Sequence, residues 1–288
     1  MDGELQGKVC IITGANSGIG LETALGLARK GAILGLICRD PVRSSAALEH
    51  IRRETGNTRV SLHLADLRSQ QQVRLAAKSC LESYPEIHVL INNAGLVARE
   101  RAMTEDGLET VWAVNYLSCF MLTRLMLERL KASAPARIIN MASEAYMMGR
   151  LDFTDIDSAY GRYRSFQAYG NAKLAVILFT RELARRLEGT KVTANCLHPG
   201  IIASRFGSNL RLAQKSVAII MLPWVCSPRT GAATSIYLAC SPEVEGVTGK
   251  YFKRCKPSRI ARKARDDAQA ARLWQLSERL IGSGAVAR

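Results

Sequence analysis

The eight cysteines of this 288-residue chain (10, 38, 80, 119, 196, 226, 240 and 255) form no C-x-x-C pair and no Cys/His spacing of the zinc type. A resident metal or a redox dithiol is therefore not expected. Cys10, Cys38 and Cys196 fall inside apolar runs, where a thiol acts as a small core filler, and a reducing compartment suits the set. No run reaches the roughly 18 consecutive apolar residues of a membrane span. The nearest, 217–226, is short and holds Pro223. No basic stretch followed by an apolar run opens the chain, so neither signal peptide nor anchor is read there, and the expected location is cytoplasmic or peripheral to a membrane. No linker rich in Pro, Gly or Ser, no fixed-period repeat and no low-complexity segment divides the sequence, which predicts a single domain over 1–288.

Carboxylates are also scarce, with 25 Asp+Glu against 40 Lys+Arg and a formal charge of +15. Such a balance suits a solvated basic surface or an anionic partner: nucleic acid, an acidic membrane surface or a phosphorylated cofactor. No nucleic-acid-binding motif accompanies the charge, so nucleic acid is not expected as a partner. The basic residues concentrate late in the chain. Lys250, Lys253, Arg254, Lys256, Arg259, Arg262, Lys263, Arg265 and Arg272 are opposed between 250 and 272 only by Asp266 and Asp267.

What is present in quantity is apolar surface, 48% of residues, in a regular rhythm. Short β-branched runs at 9–13, 32–38, 59–64, 87–91, 137–141 and 191–197 alternate with helical patterns at 19–29, 41–55, 69–83, 104–131 and 166–187. Ser69 and Thr104 stand as caps, and a last short strand is placed at 247–252. This alternation predicts an α/β fold, a doubly wound Rossmann-type parallel sheet with helices on both faces, which binds ligands beyond the carboxyl ends of its strands. Residues 201–228 are expected as a substrate lid and 253–288 as a basic helical extension.

Between the first strand and first helix stands T-G-A-N-S-G-I-G at 13–20. Gly14, Gly18 and Gly20 let the backbone turn and approach a pyrophosphate, and the helix N-terminus offers free N–H groups from Asn16, Ser17 and Ile19 onward. At the tip of the second strand the chain reads Cys38-Arg39-Asp40. A neutral residue followed by Arg39 suits a 2′-phosphate, so NADP(H) is preferred and NAD(H) is the alternative. Asp40 either points at the ribose or caps the helix that Pro41 begins.

Tyr169 and Lys173 lie at i and i+4 on one helix face, and a cation within about 4–6 Å lowers a phenol's pKa, making an acid/base pair. With N-N-A-G at 92–95, Asn115, Ser143 and H-P-G at 198–200, these motifs stand in the order of the short-chain dehydrogenase/reductases, which the chain resembles over nearly its whole length. The text around 130–137, 173–187 and 249–252 is similar to the retinol dehydrogenase branch. The resemblance implies that Tyr169 exchanges a proton with the substrate oxygen, that Lys173 lowers its pKa and holds the nicotinamide ribose, and that Ser143 polarises the carbonyl. Asn115 would hold a water in a proton relay through its backbone carbonyl. Asn93 and Ala94 would line the adenosine side, Asp66 would face the adenine, and Pro199, Gly200 and Ser204 would flank the nicotinamide. His198 reads as a structural residue aligning Pro199. Two features depart from the pattern: Glu144 directly follows the serine in Met141-Ala142-Ser143-Glu144, and the N-terminal anchor common in that branch is not seen.

The apolar 218–225 stretch serves as a pocket wall, as a contact with a bilayer surface, or as a buried helix. The partners expected are an apolar small-molecule substrate, an anionic membrane surface touched peripherally, and further copies of this chain. Retinol/retinal chemistry leads, followed by reduction of steroid or other lipid carbonyls. A catalytically idle nucleotide-binding scaffold is the reading from a different class.

Overall fold

Near-continuous apolar strands are stable only where both faces of a sheet are covered. The computed structural model of the chain, which describes residues 4–156, 162–202 and 225–282, is built in that way. Strands β1 (Val9–Thr13), β2 (Ile33–Cys38), β3 (Val60–Leu64), β4 (Val89–Asn92), β5 (Ala136–Met141) and β6 (Val192–His198) are joined by helices α1 (Gly18–Arg29), α2 (Pro41–Thr55), α3 (Gln70–Ser83), α4 (Thr110–Ala132) and α5 (Ser165–Arg186). A two-stranded parallel pair, β7 (Ile201–Ile202) with β8 (Val225–Cys226), follows, then helix α6 (Pro228–Cys240). The described chain closes with β9 (Tyr251–Lys253), β10 (Lys256–Pro257) and helix α7 (Asp267–Gly282). The main sheet runs β10-β9-β6-β5-β4-β1-β2-β3, parallel except for the β9–β10 hairpin at its edge.

Side chains alternate across each strand, so each strand feeds two cores. Cys10, Ile12, Leu36, Ile91 and Ile139 pack on one face with Leu27 and Leu238 from α1 and α6. Val9, Ile11, Leu90 and Ile138 pack on the other with α3, α4, α5 and α7. There Phe120 of α4 and Phe179 of α5 meet Trp274 of α7 at ring separations of 5.1 and 5.9 Å. Tyr116 of α4 hydrogen-bonds Ser277 of α7 at 2.6 Å.

The doubly wound sheet follows the sequence rhythm closely, and the departures have local causes. α4 begins at Thr110 instead of Thr104. Gly107 turns the chain at φ 73°, Thr110 N–H is taken by Ala102 O, and Glu109, not Thr104, caps the helix by accepting from Val111 and Trp112 N–H at 2.9 Å each. α4 is also interrupted by a π turn at Ala113–Leu117. The late strand is confined to Tyr251–Lys253, because Val247 closes a turn on Val244 and Gly249 sits at φ 71°. Of the expected helical extension, the stretch before Asp267 is a hairpin and a short 3-10 turn, Arg262–Arg265. Helix α6 was not anticipated, although Ser227 capping Thr230 N–H and Pro228 at the first turn are ordinary start signals. Among the described residues, one helix, Thr110–Ala132, is long and apolar enough to cross a membrane. It is the central core helix, with 89% of its apolar window buried in the fold.

Trp274 is 3% exposed and anchors α7 to both long helices. Trp274→Ala is expected to remove about 3–5 kcal/mol of stability, read as a lower urea midpoint at unchanged slope. A loss below about 1 kcal/mol would contradict this packing.

Candidate active site

The sheet reverses its winding between β1 and β4, and a crevice opens where their carboxyl ends diverge. Thr13 ties the two strand ends together: its Oγ1 accepts from Asn93 and Ala94 N–H at 2.9 Å each, and Asn93 Nδ2 donates back to Thr13 O at 2.8 Å. The glycine loop is pressed onto this knot. A Cβ on Gly20 would lie 2.3 Å from Gly14 O and 2.6 Å from Asn93 Nδ2, so no larger residue fits. Ser17 caps α1 by backbone position alone, with no side-chain bond and no acid in the first turn, which leaves the helix N-terminus free for an anion. A cleft of about 920 Å³ is lined by Gly14, Asn16, Ser17, Gly18, Ile19, Gly20, Arg39, Asp66, Asn93 and Ala94. The sequence-predicted cofactor residues of the first 100 positions therefore converge, and their small backbones, free N–H groups and cations fit a dinucleotide.

At the far end of the cleft Arg39 is 61% exposed and stands 3.9 Å from Asp66. Burial works against the Asp66 carboxylate, but bonds from Arg68 and the charges of Arg68 and Arg39 hold it below the usual carboxylate range. Asp40 is a helix cap, accepting from Arg43 N–H at 3.0 Å. Arg43 and His50, which were not singled out from the sequence, also line the cleft. With Ala46 and Ala47 they occupy positions i, i+3, i+4 and i+7 of α2, a face-forming spacing that could have identified them.

The catalytic candidates meet beside Gly95, which joins the two regions: it lines the cleft, and a Cβ there would lie 2.8 Å from Asn115 Oδ1 and 3.6 Å from Lys173 Nζ. The Ser143 hydroxyl lies beside the Tyr169 phenol and favours its ionised form, and Ser143 Oγ accepts from Ala145 N–H at 3.2 Å. Lys173 is 2% exposed, with its Nζ donating to Met141 O at 2.7 Å and lying 5.5 Å from the centre of the Tyr169 ring. Burial brings Lys173 down to about 8. Burial also pushes the Tyr169 phenol up to about 12, with only the nearby Ser143 hydroxyl opposing it. The net direction is thus opposite to the one expected from helical spacing alone, because desolvation of the phenol outweighs its neighbours and the ammonium is turned to Met141. Asn115 stands in the π turn, a feature frequent at functional sites, and its side chain makes two 2.7 Å bonds to the backbone of Leu96, one accepted and one donated.

Glu144, unexplained in the sequence, is a tether. It accepts from Tyr251 Oη at 2.7 Å and pairs with Lys253 Nζ at 2.8 Å, fixing the turn that Ser143 opens to strand β9. His198 supports the same turn by accepting Glu144 N–H at 3.4 Å. Pro199 and Gly200 follow the end of β6, Gly200 at φ 97°. Ser204, most of the 201–228 segment expected as a lid, and 218–224 of the apolar stretch lie outside the described residues.

The family model described as short chain dehydrogenase matches residues 8–215. Mouse retinol dehydrogenase 12 is 43% identical over 279 residues, covering 97% of this chain and 88% of that protein. Human retinol dehydrogenase 14 is 43% identical with the same two coverages, 97% and 88%. Among solved structures, a protein of Mycobacterium paratuberculosis superposes with a TM-score of 0.78 at 32% identity, covering 96% of this chain and 94% of that one. The NADP complex of Pseudomonas aeruginosa RhlG does so with 0.70 at 27%, covering 88% and 96%.

The contacts of Gly20 are with backbone and with a tied side chain, so they cannot be relieved cheaply. Gly20→Ala is expected to weaken nicotinamide-cofactor binding at least about a hundredfold, the loss of roughly 2.7 kcal/mol, measured by quenching of intrinsic fluorescence. Unchanged affinity would show that the cleft is not the cofactor site.

Proposed function

The chain belongs to the short-chain dehydrogenase family and is an NAD(P)-dependent oxidoreductase, and we propose that it prefers NADP(H) and transfers hydride between the nicotinamide and an apolar alcohol or aldehyde of the retinol/retinal type. The observation that carries this reading is the grouping of Tyr169 with Ser143 and a buried Lys173, joined through Gly95 to the glycine-lined cleft.

The nicotinamide cofactor, when bound, supplies or accepts the hydride. The protein's part is a proton and an orientation. A phenol held near 12 is protonated at neutral pH, so Tyr169 is set to give its proton to the oxygen of a reduced carbonyl. The Ser143 hydroxyl, beside that phenol, polarises the same oxygen. Lys173 would hold the nicotinamide ribose. The side chain of Asn115 is tied to Leu96, and its backbone carbonyl in the π turn is assigned to the relay water. Pro199, Gly200 and Ser204 are assigned to the nicotinamide side.

Cofactor preference rests on charge. Asp66 is engaged by Arg68 and Arg39, and Asp40 Oδ1 caps its own helix, so both acids already serve local structure. Arg39 and Arg43 supply two guanidinium groups to the same cleft. The RhlG complex, which holds NADP, is consistent with that preference. Apolar substrate is supported by exposed Met147 and Met148 on the turn that Ser143 opens and by exposed Phe166 at the start of the helix carrying Tyr169. Peripheral contact with an anionic membrane, supported by the +15 charge, belongs to the same proposal.

A spectrophotometric screen of retinal, other lipid aldehydes and steroids with NADPH and NADH in parallel tests both halves. Arg39→Ala is expected to raise KM for NADPH roughly 10–100-fold, the loss of one charge-assisted bond, while leaving NADH within about threefold. Hydride transfer to none of these substrates would sink the substrate assignment, and an unmoved NADPH constant would remove Arg39 from the phosphate site. For pH, Lys173 is charged below about 8 and neutral above it. The kcat/KM for carbonyl reduction is therefore expected to be level below about pH 8 and to fall above it. A profile without that limb would show that the ammonium is not used.

A further inference from the structure

Cations gathered around one cleft repel one another unless anionic groups stand among them. The basic stretch that follows Lys250 builds such a cleft away from the catalytic groups. A space of about 350 Å³ between α5, β9 and the turns before α7 is lined by Arg181, Lys250, Arg259 and Arg265, with Tyr251 and Ser258 in its wall. Arg181 lies twelve residues beyond Tyr169 on α5, about 18 Å of helix. Lys250 is held at the entry to β9 by its N–H bond to Asn195.

The acids nearby do not balance these charges. Asp267 pairs with Arg181 at 2.8 Å, and Asp266 is occupied in accepting from the backbone and side chain of Gln269. Lys250, Arg259 and Arg265 form no ion pair among the described residues. Arg181 Nε is buried and meets no acceptor among them either, an arrangement that is costly for a charged donor. Arg265 also borders a neighbouring open cleft with Arg262 and Lys263, so the basic surface continues outward. Forked guanidinium groups plus an ammonium and a hydroxyl are the donor set that phosphoryl oxygens accept from best.

We propose that this cleft is a second anion site, taking a phosphoryl group either from a free phosphate ester or from a phospholipid headgroup. The proposal is independent of the cofactor preference and of the substrate. It assigns the basic tail a local function in place of a diffuse one.

The test compares the full chain with Lys250→Ala/Arg259→Ala and with a charge-matched control, Lys8→Ala/Lys78→Ala, all with NADP(H) in excess to fill the cofactor cleft. Inositol trisphosphate and inorganic phosphate are titrated by calorimetry. Binding to phosphatidylcholine vesicles, with and without a phosphatidylinositol phosphate, is measured by cosedimentation. The cleft variant is expected to bind at least about tenfold more weakly, a loss of about 1.4 kcal/mol, with unchanged melting temperature and basal activity, and the control is expected to match the parent. Loss confined to the soluble anions identifies a free ester as the ligand, and loss confined to the vesicles identifies a headgroup. Equal weakening in the two variants, or no binding of either probe by the parent, overturns the proposal.

Discussion

An ammonium enclosed at 2% exposure is unfavourable unless every part of its surroundings is fixed to receive it. Lys173 meets that condition through Met141 O, at the end of β5, and this demands that α5 lie hard against the sheet at one register. The core supplies the register. Asn92 of β4 donates to Asn140 of β5, and Asn140 donates to Thr180 of α5, at 2.9 Å each, so a buried polar chain crosses two strands and stops on the helix. The same helix approaches the turn after Ser143 so closely that a Cβ on Gly170 would stand 2.8 Å from Ala145 O. Lys173 fixed on Met141 O and the bare backbone at Gly170 together bring Tyr169 up to the turn that Ser143 opens.

Electrostatics at the two ends of the crevice are arranged differently. At the glycine-loop end the positive character is that of backbone dipoles, undiluted because no carboxylate occupies the first turn of α1. At the Arg39 end it comes from side chains, and the local acids have been spent on structure: Asp40 as a cap and Asp66 as the acceptor for Arg68. Around Tyr169 and Lys173 burial dominates, raising the phenol and lowering the amine, so that their ordinary values of 10.0 and 10.5 move apart to about 12 and about 8. Such divergence between neighbouring groups is how one site keeps a proton donor protonated next to a group that titrates near neutrality.

These contacts explain what could be read from the chain and what could not. β1 and α2 have the bounds that periodicity and the Pro41 start signal indicate, and the glycine loop lies where strand and helix text place it, because short-range sterics decide each of them. The start of α4 depends on long-range partners. Thr104 and Glu109 are both acceptable caps locally, and Glu109 wins where Tyr163, 54 residues away, also donates to it at 3.1 Å. Glu144 looked anomalous beside Ser143 because its partner Tyr251 is 107 residues distant. The spacing of Tyr169 and Lys173 placed them on one helix face correctly, but the direction of the phenol's shift depends on how deeply that face is buried, and no i, i+4 pattern encodes depth.

The C-terminal helix belongs to the same mechanical frame. α7 packs Trp274 between Phe120 of α4 and Phe179 of α5, the two helices that carry Asn115 and the Tyr169/Lys173 pair. Its Ser277 accepts from Tyr116, the residue directly after Asn115 in the π turn, and passes a bond on to Leu273 O. Arg124 and Arg181 add ion pairs to Glu278 and Asp267 along the same seam. A wider or register-shifted α7 would therefore reach the site through the π turn, even though no residue of α7 lines the glycine-lined cleft. The basic hairpin β9–β10 stands at the edge of the main sheet beside β6, and the 3-10 turn Arg262–Arg265 leads from it into α7.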